Sequence, residues 1–282
     1  MRNYLTDKTL PVQRGACQVL INMYSGSDAA HPSLSDIEAI LTLCVKSLEN
    51  ADQITRSSLA QLAGHLLAST QIPRVVPIPE PTSKKEKEKK AEEEDGPGIP
   101  QTETSKPLLS PSEMLFRLSI HFNKPNASRK ARIGVFGFYV ALLQNLGSGF
   151  AENNYAVIVG HFFFEIASAP RNLSSSRHDQ LLVRTLVGIV LREVIGVRML
   201  SEQGQIGAIQ ELSNSYLKRW PAMMPGQTAP NSLVLAIALR EIAGLVQQLG
   251  NAPPPAQVPT CTHFAVYLLI LMMPPRMRLQ IH

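Results

Sequence analysis

Residues 36–67, DIEAILTLCVKSLENADQITRSSLAQLAGHLL, carry apolar side chains at the three- and four-residue spacing of helices on both sides of a short polar break. This spacing predicts one helix over residues 36–48, capped by Ser35 or Asp36, and a second helix that ends before Pro73. Because the polar break between them is short, we expect the two helices to pack as an antiparallel hairpin.

The same hairpin pattern recurs along the chain. A helix over residues 113–122, capped by Ser112, is followed by one over 127–146 that stops at Gly147-Ser148-Gly149. Further helices are predicted at 12–24, at 155–167 with 180–200, and at 203–220 with 231–249. The alternating pattern of a strand does not compete with these helices.

The helices that follow each turn share a second pattern. Residues 7–16, 52–60 and 127–135 each contain a turn, then an arginine, then a small residue. The arginines are Arg14, Arg56 and Arg132, and the small residues are Ala16, Ala60 and Gly134. This pattern resembles the inner helix of a HEAT repeat, in which the arginine reaches a neighbouring repeat's turn and the small residue lets adjacent helices approach closely. We therefore predict an all-α, HEAT/armadillo-type α-solenoid of stacked antiparallel helical hairpins with one disordered insertion.

The insertion is predicted at residues 72–109, where seven prolines surround the charged run KKEKEKKAEEED. Such a segment buries too little apolar surface to offset the conformational entropy that folding costs. We therefore expect HEAT repeats at 1–71, a disordered charged, proline-rich linker at 72–109, and further repeats at 110–282. Residues 1–6 are too short for a full outer helix, and Pro274-Pro275 interrupts the last repeat. The first repeat is thus expected to be incomplete and the last one truncated, as in a piece of a longer solenoid.

Composition favours a folded helical protein and argues against several other classes. Hydrophobic residues make up 44% of the chain, charged residues 17% and aromatic residues only 6%. The formal charge of +5 is scattered and does not form one basic face, so we do not expect nucleic-acid binding. The N-terminus lacks the apolar core of a secretory signal. The longest apolar run, residues 263–273, is too short to span a bilayer and predicts a buried helix.

Catalytic and metal-binding patterns are not found in the sequence. His65, His121 and His161 lie in predicted helices without a second ligand at the right spacing. Cys17, Cys44 and Cys261 are widely separated, in apolar surroundings that suit core positions in a reducing compartment. We therefore expect no enzyme activity, no catalytic, cofactor-binding or metal-binding residue, no cofactor and no small-molecule substrate.

Two other groups of residues admit both a structural and a functional interpretation. Phe162, Phe163 and Phe164 cover most of a helix circumference, which favours burial between layers over a membrane-surface role. Six basic residues either line a surface for acidic partner segments or form a scattered solvated face. These are Arg184, Arg192, Arg198, Lys218, Arg219 and Arg240.

Several segments resemble the N-terminal solenoid of the HEAT repeat-containing protein 5 family, called the large clathrin-adaptor accessory protein in fungi. The similar segments are residues 36–50 with the following Arg56 helix, 132–135 with Tyr139-Val140, 159–171, 182–196, 201–208 and 239–247.

The resemblance implies a cytosolic, non-catalytic scaffold for vesicle trafficking between endosomes and the trans-Golgi network, including retrograde transport, endocytosis and protein localisation. Its implied partners are the clathrin adaptor complex and accessory proteins, through which it would associate peripherally with Golgi, endosomes and clathrin-coated vesicles. The alternative is a HEAT-repeat scaffold of another pathway, such as nuclear transport or phosphatase assembly, because a fold alone does not give a function.

Overall fold

The computed structural model describes residues 2–25, 32–75, 105–217 and 232–251, and apart from one short strand pair its regular elements are helices. The α-helices are α1 (Leu10–Ser25), α2 (Leu34–Ser47), α3 (Gln53–Ala68), α4 (Pro111–Phe122), α5 (Arg129–Asn153), α6 (Tyr155–Gly160), α7 (Pro170–Leu173), α8 (Arg177–Gly188), α9 (Glu202–Leu212) and α10 (Ser232–Asn251). The all-α prediction is confirmed for these residues. Short 3-10 helices occupy Arg2–Thr6 and Ser69–Gln71.

Three of these helices continue as π-helix, with wider turns than the sequence pattern predicted. The π segments are His161–Ala167 after α6, Ile189–Gly196 after α8 and Ser213–Leu217 after α9. The Ser168 N–H donates to the Phe163 carbonyl five residues earlier, at 3.0 Å. A wider turn changes which side chains share a face, and π segments often occur at functional sites.

The helices are arranged in two layers. In one layer α1 packs on α3, α3 on α5, α5 on the π segment of α8, and that segment on α10. In the other layer the first 3-10 helix contacts α2, α4 contacts α6 and its π segment, and α6 contacts α9. The main contacts thus join helices of successive hairpins, which is compatible with an α-solenoid.

Helix starts follow capping chemistry, with two corrections to the sequence prediction. Asp52 caps α3, accepting a 2.7 Å hydrogen bond from the Thr55 N–H. However, Ser33, not Ser35 or Asp36, caps α2. Ser110, not Ser112, caps α4 in a reciprocal capping box with Glu113. In both cases the true cap is a serine two residues before the predicted serine, since α2 begins at Leu34 and α4 at Pro111.

The predicted stop at Gly147 is present as a break within α5. Gly147 has φ 80° and ψ 175°, a conformation that only glycine adopts readily. The helical course resumes after it and ends at Asn153. The helix predicted at 127–146 is therefore present as a continuous segment that begins at Arg129.

Two glycines lie where neighbouring helices approach each other closely. A Cβ on Gly64 would lie 2.6 Å from the backbone C of Ala141 and N of Leu142, where α3 crosses α5. A Cβ on Gly134 would lie 2.6 Å from both terminal carbons of Leu48. The prediction that a small residue at position 134 allows close packing is confirmed.

Arginines link successive turns, in part as predicted. Arg14 of α1 lies 3.9 Å from the Asp52 carboxylate at the start of α3. Arg132 of α5 donates to Asn172 Oδ1 beyond the next turn, at 2.5 Å. Arg56 differs, because its Nε donates to the Leu48 carbonyl of its own hairpin.

Both ends of the predicted linker are ordered and lie side by side. Arg74–Val75 and Ser105–Lys106 form an antiparallel pair, with Arg74 opposite Lys106. Next to this pair, the Leu108 N–H donates to the Thr70 carbonyl at 2.8 Å, and Leu109 is buried. The structure therefore differs from the prediction of disorder at the two ends of residues 72–109, while residues 76–104 lie outside the described residues.

Two helices, Arg129–Asn153 and Ser232–Gly250, are long and apolar enough to cross a membrane. Core helices of water-soluble proteins meet the same criteria, so this is weak support for a membrane span. The first of them is interrupted at Gly147 and packs closely on α3. The apolar run at 263–273 lies outside the described residues.

Candidate functional site

A groove of about 400 Å³ lies between α4 and the helix formed by α6 and its π segment. Its apolar walls are Phe116, Val157 and Phe164. Phe116 is 49% exposed and Phe164 is 54% exposed, although each is a large apolar side chain. The volume falls within the range of ligand pockets, about 300–1,000 Å³, and the walls leave apolar surface for a ligand to cover.

Two glutamates line the polar side of the groove. Glu113 accepts hydrogen bonds from the Ser110 N–H at 2.8 Å and the Ser110 hydroxyl at 2.7 Å, both at Oε2. These bonds lower the pKa of Glu113, which is therefore anionic at neutral pH. Among the described residues, no donor contacts Glu113 Oε1 or the Glu165 carboxylate. The groove also lacks a lysine or arginine among its lining residues. It is therefore an acidic site on a chain of net positive charge.

A buried histidine forms part of the groove lining. His161 Nε2 lies 2.8 Å from the Tyr139 hydroxyl, which also lies 3.3 Å from the Leu115 carbonyl. Burial lowers the pKa of His161 to about 4. The imidazole is therefore neutral near pH 7. The Tyr139 hydroxyl of α5 joins the backbone of α4 to the first side chain of the π segment that follows α6.

The three successive phenylalanines do not share one environment. Phe162 and Phe163 are fully buried, as predicted, but the expectation of burial is wrong for Phe164. Phe164 lies on the outer surface, on the same helix face as Val157, and its ring lies 6.2 Å from that of Tyr216. Tyr216 also contacts Phe163 at 4.9 Å, so it supports Phe164 from the next hairpin.

The sequence analysis did not find this groove, because its residues come from two helices about 45 positions apart in the chain. Phe116 was included in a predicted helix but was not identified as exposed. A useful signal would have been the Ser110-x-x-Glu113 capping box, which fixes the rotation of α4 and hence the outward direction of Phe116.

The histidines and cysteines considered in the sequence do not converge. Among residues 2–25, 32–75, 105–217 and 232–251, no three His, Cys, Asp or Glu side chains are grouped as a metal site requires. Cys17 and Cys44 are buried free thiols, and burial raises the pKa of each. Burial also lowers the pKa of His121 to about 4, while His65 contacts Ser25 at 3.0 Å. Cys261 lies outside the described residues.

The six basic residues do not form one surface in the described part of the chain. Arg198 and Arg240 are exposed, and Arg184 is half-buried. Arg192 donates to Glu241 Oε1 at 2.9 Å. Lys218 and Arg219 lie outside the described residues.

The Arg192–Glu241 pair links α8 to α10. Glu241 is 3% exposed, and desolvation raises its pKa despite the opposing effect of Arg192. Gly244 makes room for the arginine, since a Cβ there would lie 3.0 Å from Arg192 Cδ. Arg192 therefore stabilises the contact between two helices, and its charge is already paired with Glu241.

No protein-family model matches the chain. No solved structure matches it either.

Proposed function

We propose that this chain is a non-catalytic protein-binding scaffold built as a HEAT-type α-solenoid. The observation that carries this proposal is the two-layer stack in which Arg14 and Arg132 each reach the turn of the following hairpin. In such stacks each repeat contacts only its neighbours, which leaves extended outer surfaces available to partners.

The use of polar side chains also supports a scaffold. Ser33, Asp52 and Ser110 cap helices, while Arg192–Glu241 and Tyr139–His161 join neighbouring helices. An enzyme would instead need reactive groups that face a substrate within reach of one another. The polar groups of the described helices thus mainly stabilise the stack.

Within this class, we propose a role in clathrin-adaptor-dependent trafficking between endosomes and the trans-Golgi network. The support is the resemblance of the segments at residues 36–50, 132–135 and 201–208 to the HEAT repeat-containing protein 5 family. The partners would be adaptor subunits and accessory proteins. Membrane association would then be peripheral and would occur through those partners.

Affinity capture from cytosol tests this proposal. The tagged 282-residue chain would be used as bait, with a tagged unrelated HEAT-repeat protein as the matched control, and bound proteins would be identified by mass spectrometry. Specific recovery of clathrin-adaptor subunits is the expected result. Recovery of nuclear-transport cargo or phosphatase subunits would assign the scaffold to another pathway, and the absence of any specific partner would contradict the scaffold proposal.

A further inference from the structure

The groove between α4 and α6 has features of a binding site that the stack itself does not require. Phe116 and Ile120 are both 49% exposed on α4, but only Phe116 faces the groove. Across from it, Phe164 is exposed and is supported by Tyr216. Large apolar side chains at the edge of a concave site are typical anchors for a protein partner.

The walls of the groove are held in position before a ligand arrives. The Ser110–Glu113 capping box fixes the first turn of α4, and the Tyr139–His161 contact fixes the start of the π segment. A pre-formed site loses less side-chain entropy on binding than a mobile one. The groove therefore has the rigidity that a short peptide ligand needs in its receptor.

The negative charge of the groove lining favours some ligands over others. Glu113 Oε1 and the Glu165 carboxylate have no donor among the described residues, and the lining contains no cationic side chain. Lysine or arginine on a ligand would satisfy both carboxylates, whereas acidic peptides and anionic lipid headgroups would be repelled. The apolar walls at the same time require a large hydrophobic side chain on that ligand.

We propose that this groove binds a short segment of a partner protein in which an aromatic or long aliphatic residue is flanked by lysine or arginine. The hydrophobic residue enters between Phe116 and Phe164, and the flanking cations contact Glu113 and Glu165. This inference rests on the proposed scaffold function. It states which kind of ligand one binding site of the scaffold recognises.

A phage-displayed library of random dodecapeptides, selected on the 282-residue chain, tests the ligand chemistry. We expect enriched peptides to contain an aromatic or long aliphatic residue with lysine or arginine within a few positions. The affinity of the best synthetic peptide should fall at least tenfold in Phe116→Ala and should stay within twofold in Ile120→Ala. Equal losses in these two variants, or enrichment of acidic peptides, would overturn the proposal.

The charge contribution is tested by the Glu113→Gln, Glu165→Gln double variant. Glutamine can keep the capping box at position 113, so helix α4 should remain intact by circular dichroism. We expect at least tenfold weaker peptide binding and a loss of its salt dependence, whereas the exposed control Glu202→Gln should bind as the unchanged chain does. Unchanged binding in the double variant would refute the role of the two carboxylates.

Affinity capture with the Phe116→Ala chain separates this inference from the proposed function. If the unchanged chain recovers adaptor subunits and Phe116→Ala recovers them equally, the groove inference fails while the trafficking scaffold stands. If the groove binds basic hydrophobic peptides but no adaptor subunit is recovered, the inference about the groove is supported and the assignment to clathrin-adaptor trafficking fails.

Discussion

Gly64 lies so close to Ala141 that an added Cβ would stand 2.6 Å from the Ala141 backbone carbonyl carbon. Both residues belong to helices of the same layer, α3 and α5, which form the most extensive helix contact in the described chain. Because the obstacle is backbone, a rotamer change cannot relieve it. The separation of these two helices is therefore set by the absence of a side chain at position 64.

Gly64→Ala should destabilise the chain by about 1–3 kcal/mol, the usual cost of overpacking a core. Gly15→Ala is the matched control, since a Cβ at Gly15 meets nothing within 4 Å in helix α1. The control should be neutral or stabilising by up to about 1 kcal/mol, because alanine favours helix over glycine. Urea unfolding followed by circular dichroism measures both, and equal stability of the two variants would refute the close-approach argument.

Ser110→Ala should cost about 1 kcal/mol, the typical loss when a helix cap is removed. Ser112→Ala should have a much smaller effect, because Ser112 lies in the first turn of α4 and does not cap it. Thermal unfolding of both variants makes the comparison. A larger effect at Ser112 would support the cap that the sequence pattern predicted.

Arg192→Met should destabilise the chain at pH 7 by about 3 kcal/mol, the low end for a broken buried ion pair, because the Arg192 side chain is itself 31% exposed. Without the arginine, the buried Glu241 carboxylate is left unpaired. The pKa of Glu241 is already raised in the folded chain, so the protonated carboxyl group favours folding. This stabilisation is lost as the pH rises from about 4.5 through the pKa that Glu241 has in the folded chain.

The penalty of Arg192→Met should therefore shrink as the pH falls toward 5. Adding Glu241→Gln to the variant removes the titrating group and should make the penalty independent of pH. Urea unfolding between pH 5 and pH 8 measures the stability of both variants. A constant penalty in the single variant would show that Glu241 does not carry the unpaired charge.

His161 should make the chain less stable in acid. Its pKa is about 4 in the folded chain against 6.5 for the free side chain, so its neutral form stabilises the fold above pH 6.5. This contribution is lost as the pH falls from 6.5 to about 4, and amounts to about 3 kcal/mol at most.

We expect His161→Gln to lose less stability than the unchanged chain between pH 6.5 and pH 4, measured by urea unfolding. The exposed His178→Gln is the control for titration of other groups. If both variants follow the same pH dependence as the unchanged chain, the buried imidazole does not contribute to acid sensitivity.

The sequence predicted the helices well because their apolar residues repeat at helical spacing. The turn at residues 49–52, the helix ending before Pro73 and the interruption at Gly147 all follow from local chemistry that neighbouring residues carry. The caps at Ser33 and Ser110 lie two residues before the predicted serines, because the prediction placed the helix starts after Leu34 and Pro111. Pro111 at the first helical position was the signal for Ser110.

The groove could not be predicted in the same way, because it depends on how α4 and α6 meet. Phe164 follows Val157 by seven residues and Gly160 by four, so helical spacing places it on their face, but the exposure of that face depends on how the helices pack. Likewise, the partner of Arg192 lies 49 residues away in α10. Such contacts are set by packing between helices distant in the chain, which one sequence does not reveal.

The antiparallel pair formed by Arg74 and Lys106 makes the chain leave and re-enter the stack at the same point. Because the connection starts and ends at adjacent strands, its length does not affect the distance between α3 and α4. In general, doubling the length of a loop costs only about 0.6 kcal/mol in closure entropy. This makes the connection a suitable insertion site. A fluorescent protein or half of a split enzyme could be inserted between residues 76 and 104, and α3 and α4 should keep their contacts.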